Sequence, residues 1–362
     1  MHYRRIGTLD GATERDDAAY LDFIEGMKVF DHDAVEPAVW QRYEQAVAEF
    51  EATHGRPPAT VDEMQPFLAH LPVLQAHQRL FRSTQDMRAV ALPETYRKRE
   101  AELLRELEEA ERKGPGRLIL DPTLAYPDYF AKVEFHRQPG GYAGDPLAGY
   151  LYHYGTKMLY FGRNDNDERN QDMIDRAPLP PDGRVDRVLD LACAIGQSTT
   201  AWKKRLPHAE VWGIDIAAPM VRYAHKRAVE MGIDVTFAQM DAERLRFPDD
   251  HFDLVFANIL FHEVPVEVGE RVIAEVQRVL RPGGIFIVHD VGQAKDWSPL
   301  DAYVRDFIIR DNSEPWERGW AEWDFTGALE RVGFHSIERV AMSPQNIRPY
   351  VSSNPLRWVA VK

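Results

Sequence analysis

The chain has 362 residues, 44% of them apolar, and a formal charge of −14 at pH 7. That length suits two domains or one enlarged one, and the acidic balance argues against nucleic-acid or anionic-membrane surfaces, which reward positive patches. No apolar stretch reaches the roughly eighteen residues a membrane span needs, Met1-His-Tyr-Arg-Arg5 lacks a signal-peptide core, and the single Cys193 fits a reducing compartment, so a cytoplasmic protein is expected.

Residues 1–114 read as an N-terminal helical domain. Asp16 to Phe30 places Tyr20, Phe23, Ile24 and Met27 at helical spacing, and Glu36 to Phe50 does so with Val39, Trp40, Tyr43, Val47 and Phe50. Gly55 and Pro57-Pro58 stop the second helix, and Thr60-Val-Asp-Glu63 opens a third as a capping box. Residues 73–91 and 93–113 predict two more helices, the last ended by Gly114-Pro-Gly116. Residues 115–180 form a different segment, rich in Tyr, Pro, Gly and His with little periodicity. Gln138-Pro-Gly-Gly-Tyr-Ala-Gly-Asp-Pro146 is loop by every turn signal.

From residue 181 the pattern changes to short apolar runs. Arg187-Val-Leu-Asp-Leu191 predicts a buried parallel strand, followed by small residues and a helix start at Ser198-Thr199. Small residues allow close backbone approach, and a helix N-terminus offers free N–H groups. Val211-Trp-Gly-Ile-Asp215, Val235 to Asp241, His251 to Asn258 and Arg278 to Asp290 supply further strands, each ending in a polar residue. Polar groups at successive strand C-termini describe a crevice at the switch point of a doubly wound sheet, and Asp215 there suits a ribose diol. Residues 296–320 form an aromatic-rich insertion carrying Trp297, Tyr303, Phe307, Trp316 and Trp320. Asp324 to Val332 predicts a helix closed by Gly333, and Phe334 to Val340 and Leu356 to Val361 predict two final strands.

Leu189-Asp-Leu-Ala-Cys-Ala-Ile-Gly196, Gly213-Ile-Asp215, Asp241 to Asp249, Phe252-Asp-Leu-Val255 and Leu280-Arg-Pro-Gly-Gly284 together resemble the class I S-adenosylmethionine-dependent methyltransferases, in their small-molecule branch. The resemblance covers roughly residues 185–362. It implies an α/β fold with a doubly wound, seven-stranded mixed sheet, a Rossmann-like methyltransferase core, beside the N-terminal helical domain. It also implies S-adenosyl-L-methionine as cofactor, held by Asp190, Ala192, Cys193, Gly196, Asp215, Ile216, Met220, Asp241, Ala242 and Asn258. The family's first loop usually reads Asp-x-Gly-x-Gly-x-Gly, and here Ala192 and Ala194 stand in place of the first two glycines.

By the same resemblance, residues 115–180 form a lid or linker before the methyltransferase domain 181–362. Tyr150, Tyr152, His153, Tyr154 and Tyr160 are then candidate wall residues, joined by His289 and by Trp316 of the covering insertion. The bland alternative is that these aromatics anchor the lid. The helical domain is expected either to pack as a bundle or, as in similar small-molecule methyltransferases, to form a homodimer. The partner implied is a small-molecule acceptor, with no nucleic acid or membrane.

Methyl transfer is an in-line displacement that relies mainly on positioning, with a base needed only for a neutral acceptor that must lose a proton. His262, in Leu260-Phe-His-Glu-Val-Pro265, is the candidate base, and Glu263 either orients it or acts itself. Both could equally be structural. No metal is expected, since His262 to Glu267 lacks the second histidine of a zinc-binding His-Glu-x-x-His helix. The expected function is methylation of an oxygen, nitrogen or sulfur atom of a small molecule. The alternatives are a non-methylating enzyme, or a cofactor-binding or assembly protein, on the same fold.

Overall fold

A computed structural model describes residues 5–12, 14–342 and 355–362. The terminal Met1-His-Tyr-Arg stretch lies outside the described residues. A ribbon of β1 (Arg5–Ile6) and β2 (Leu9–Asp10) precedes α1 (Arg15–Phe30), a π-helical turn (Asp31–Val35), α2 (Glu36–His54), α3 (Val61–Leu68), α4 (Pro72–Arg97) and α5 (Glu100–Ala110). Then come β3 (Arg117–Ile119), α6 (Asp128–Ala131), α7 (Ala148–Leu159) and α8 (Glu168–Asp175). The remainder alternates: β4 (Arg187–Leu191), α9 (Gln197–Arg205), β5 (Glu210–Asp215), α10 (Ala218–Met231), β6 (Thr236–Gln239), β7 (Phe252–Asn258), α11 (Val266–Val279) and β8 (Leu280–Asp290). It closes with α12 (Pro299–Asp311), α13 (Glu317–Glu322), α14 (Phe325–Arg331), β9 (His335–Ala341) and β10 (Leu356–Val361).

The main sheet has eight strands in the order β3-β6-β5-β4-β7-β8-β10-β9. Strands β3 to β8 run parallel, and β10 enters antiparallel between β8 and β9. Alternation along each strand feeds two apolar layers. Val188, Leu254, Phe256 and Ile285 pack under α9 and α10. Leu189, Leu191, Val255, Ala257 and Phe286 pack under α11, α13 and α14. The sheet therefore has helices on both faces, as its near-continuous apolar strands require.

Three features depart from the sequence expectation. The sheet has eight strands where seven were expected, because Arg117–Ile119 pairs with the edge strand β6; three residues are too few to show periodicity. The helix break expected between 91 and 93 does not occur, and α4 runs through Pro93 to Arg97. Ala91, Leu92 and Tyr96 are buried there against α1 and α7, and this packing outweighs the hydrogen bond that proline removes. On α1 the buried face carries Ala18, Leu21 and Ile24, while Tyr20 and Phe23, placed by periodicity on the apolar face, are 45% and 55% exposed.

The N-terminal helices do not stand apart from the sheet. Leu21, Ile24, Leu92, Tyr96, Leu103 and Leu107 share one apolar cluster with Tyr150, Tyr154, Met220 and Tyr223. Val39, Tyr43, Phe50 and Leu74 share another with Leu300, Val304, Phe307 and Ile308 of α12.

Candidate active site

The parallel strands β4 to β7 release their chains at one edge of the sheet, and a cleft of about 1000 Å3, open to solvent, lies there. Its floor comes from Ala192 and Cys193 after β4, Asp215, Ile216 and Met220 after β5, Asp241 and Ala242 after β6, and Asn258 at the end of β7. Sequence reasoning named all of these. Asp190 and Gly196, named with them, sit behind the surface. Asp190 is 1% exposed and accepts hydrogen bonds from Ser198 Oγ (2.7 Å) and Thr199 Oγ1 (2.6 Å), tying β4 to the start of α9. Gly196 turns the chain at φ 75°, and a Cβ there would lie 2.5 Å from Phe237 Cζ.

The loop after β4 is shaped by two non-glycine residues in the left-handed region. Ala192 and Ala194 both have φ of 48°, the conformation for which glycine is the ordinary choice. With the loop so turned, Ala194 N–H donates to Asp215 Oδ2 (3.0 Å), and Ala217 N–H donates to Oδ1 (2.9 Å). Each carboxylate oxygen keeps a second lone pair for a ligand. Burial raises the Asp215 carboxyl, backbone donors pull it back and Glu263 adds to the rise, leaving it at about 6. Asp190 rises further, to about 7, chiefly by burial.

The roof is aromatic. Tyr129 and Phe130 come from α6, Tyr142 from the following loop and Tyr152 from α7. Tyr129 donates to Glu243 Oε1 (2.9 Å), and Phe135 stacks on Tyr142 at 5.4 Å. Tyr142 OH donates to Glu263 Oε1 (3.0 Å), and His136 Nε2 lies 3.0 Å from the same oxygen. The other ring nitrogen, Nδ1, is 2.8 Å from Glu314 Oε1. Burial would lower the His136 pKa, but Glu314 and Glu263 outweigh it and hold the ring at about 9. The two carboxylates on either side thus favour the charged form of the His136 ring, whose Nδ1 also lies 2.8 Å from Asn312 Nδ2.

His262 does not line this cleft; its neighbour Glu263 does. The His262 ring is 3% exposed, with Nδ1 2.6 Å from Asp290 Oδ1. Asp290 also accepts from Phe261 N–H (2.8 Å) and Val291 N–H (2.7 Å), so the pair pins the turn after β7 to the end of β8. Burial lowers the His262 pKa, yet Asp290, Glu314 and Glu263 together hold it at about 9. These carboxylates favour the protonated ring, which leaves no free lone pair to take up a further proton.

Of the aromatic wall residues named from the sequence, Tyr152 lines the cleft, and the others do not. Tyr150 and Tyr154 are buried against Tyr96, and His153 Nδ1 lies 2.8 Å from Tyr223 OH. Tyr160 lies under the Arg169 guanidinium, 4.5 Å from ring to cation. His289 is buried between strands, with Phe256 edge-on at 5.3 Å, and desolvation lowers its pKa to about 3. Trp316 reaches the roof only from behind, donating to Tyr129 O at 3.2 Å. Periodicity could not choose between the faces of a helix as aromatic as α7. Tyr129, Phe130, Tyr142, His136 and Glu314 were missed because they lie in aperiodic segments. Their one sequence signal was the density of aromatics around the Gly-Gly turn.

Comparison with known proteins gives a family whose description is "Methyltransferase domain", matched by residues 188–284. Relatives include a ubiquinone/menaquinone biosynthesis C-methyltransferase of Laribacter hongkongensis, 37% identical over 32% of this chain and 46% of that protein. A phosphatidylethanolamine N-methyltransferase of Cereibacter sphaeroides is 35% identical over 44% of this chain and 76% of that protein. The chain spans about half the length of most of the curated relatives it matches. Among solved structures, phosphoethanolamine N-methyltransferase 2 of Haemonchus contortus, in complex with S-adenosyl-L-methionine, aligns over 60% of this chain and 56% of that one. The TM-score is 0.43 and the identity 18%.

Proposed function

Because the chain belongs to the class I S-adenosylmethionine-dependent methyltransferases, we propose that it methylates a nitrogen atom of a small amine held under the aromatic roof. The observation that carries this reading is the charge of the lining. Asp215, Asp241, Glu243 and Glu263 face the cleft with Tyr129, Phe130, Tyr142 and Tyr152, and no Lys, Arg or His is among the described residues that line it. Carboxylates and aromatic faces attract ammonium groups and repel anions. The Cereibacter relative, named as a phosphatidylethanolamine N-methyltransferase, supports a nitrogen acceptor. The relatives named as C-methyltransferases keep a carbon acceptor in view.

The residues present fit the cofactor. The turned loop at Ala192 and Ala194 brings backbone to the cleft floor, and Asp215 offers one lone pair per oxygen after its backbone bonds. Asp215 would hold the ribose hydroxyls, with Ile216, Met220, Asp241 and Ala242 around the adenine and Ala192, Cys193 and Asn258 toward the methionine part. When bound, S-adenosyl-L-methionine supplies a sulfonium methyl group for in-line displacement. Glu263 meets the acceptor through Oε2, since His136 and Tyr142 both contact Oε1. It orients the nitrogen and takes the proton that must leave before the lone pair attacks. His262 and Asp290 act behind it by fixing the turn.

The test is transfer from methyl-labelled cofactor to a panel of amines, phenols and thiols. Label should reach amines, and Glu263→Gln should lower kcat/KM for them by about a hundredfold. Label on phenols alone, indifferent to Glu263→Gln, would overturn the reading. No label transfer despite cofactor binding would favour a non-methylating protein on this fold.

Among the described residues no helix is long and apolar enough to cross a membrane. A cytoplasmic homodimer working without nucleic acid or membrane extends the proposal. Its supports are the net acidity, the single buried Cys193, and the exposed Tyr20, Phe23 and Phe30 on α1. Phe23→Glu should then shift the dimer to monomer in light scattering.

A further inference from the structure

Four ligand-type side chains converge within the N-terminal helices, away from the cleft. Asp31, His32, Glu36 and His77 are 8%, 6%, 6% and 4% exposed, and all line one small pocket between α1, α2, α4 and α7. We propose that Asp31, Glu36 and His77 form a binding site for one divalent first-row transition-metal ion, with His32 positioning Glu36.

The backbone is shaped for this convergence. Residues five apart on an α-helix point about 140° away from each other, at roughly 100° per residue. Here the Glu36 N–H donates to Asp31 O in a π-helical turn, whose i to i+5 hydrogen bond brings those two positions toward one face. Such single-turn insertions cost regular hydrogen bonding and cluster at functional sites. His77, from the middle of α4, closes the third side.

The distances suit coordination. One ligand atom from each of Asp31, Glu36 and His77 lies within 4.8 Å of the others. Between two of these ligands, His77 Nδ1 is 2.9 Å from Asp31 Oδ1, while His32 Nδ1, outside the ligand set, is 3.2 Å from Glu36 Oε2. Neighbouring ligands around a tetrahedral ion with bonds of about 2.0–2.1 Å lie about 3.3 Å apart. Two carboxylates and an imidazole form an oxygen–nitrogen donor set suited to zinc, manganese or ferrous iron. His32 stacks on Phe161 at 4.8 Å and 4°, which fixes the ring against Glu36 as an outer-sphere partner would. The other histidine–carboxylate group, at His136, is arranged differently. Its ring nitrogens face Glu263 and Glu314 on opposite sides, as a bridging cation does.

The test uses the full-length protein, stripped with EDTA and titrated with Zn2+, Mn2+ and Co2+, with metal content read by mass spectrometry. One ion per chain should remain after gel filtration, with a rise of several degrees in Tm. Asp31→Asn with His77→Gln should lose both, while His136→Gln keeps them. Retention of none of the three metals would overturn the site, as would unchanged stoichiometry in the double variant or loss in His136→Gln. Should the double variant not fold, X-ray absorption of the Co2+-loaded wild type decides. One imidazole among oxygen donors is expected, and a purely aqueous or multi-imidazole shell overturns the proposal.

Discussion

Ala192 and Ala194 each hold a backbone conformation that costs an L-residue roughly 1–2 kcal/mol. Glycine would remove that cost but add about 0.5–1 kcal/mol of unfolded-state freedom. Each Ala→Gly change should therefore stabilise the protein by about 0.5–1 kcal/mol in urea titration. The two alanines were legible as departures from the family loop, yet only the structure reveals that both stand where glycine's freedom matters. Asp215 was legible outright, as an acid closing a strand. Asp215→Ala should weaken S-adenosylhomocysteine binding about ten- to a hundredfold in calorimetry. Its carboxyl titrates at about 6 without ligand, so affinity should also fall as the pH drops below about 6. Unchanged affinity in a folded variant would remove Asp215 from the cofactor site.

At the scale of elements, the turn after β7 is held by a charge pair. His262 has a folded pKa of about 9, against about 6.5 when unfolded. A histidine raised in this way contributes its stability fully below about 6.5 and loses it as the pH climbs through 9. His262→Gln should thus cost roughly 2–3 kcal/mol at pH 7 and much less at pH 10, measured by denaturation at both. Cofactor affinity should barely change, because the ring does not line the cleft. The sequence placed this turn correctly but not the direction its side chains face. Strands β4 to β8 were legible because parallel burial leaves unbroken apolar runs. Pro93 misled because α4 is held by packing rather than by propensity. The π turn is invisible to periodicity, since residues 31–35 read as an ordinary gap between two helices.

For the molecule as a whole, the N-terminal helices supply half of two shared cores. Removing residues 1–114 would uncover Tyr150, Tyr154, Tyr223, Leu300 and Phe307 together. A protein starting near Gly116 should therefore aggregate, as seen in gel filtration with light scattering. A monodisperse, active product would show that the helices are an accessory. The end of the helical stretch before Gly114 was legible from composition, whereas its interlocking with the rest depends on contacts between residues far apart in sequence, such as Tyr96 with Tyr150 and Tyr154.

The cleft draws its floor and its roof from separate stretches of chain. The floor follows β4 to β7, while the roof, around Tyr129, Tyr142 and Tyr152, is moored to α4 through Arg137 to Asp86 and Arg88 to the His136 carbonyl. Sequence drift in the roof leaves the sheet's hydrogen bonding untouched. Descendants of this chain can thus acquire new acceptors while inheriting the same methyl donor, and a laboratory library confined to the cleft-facing positions Tyr129, Phe130, Tyr142 and Tyr152 should reach new acceptors without rebuilding the fold.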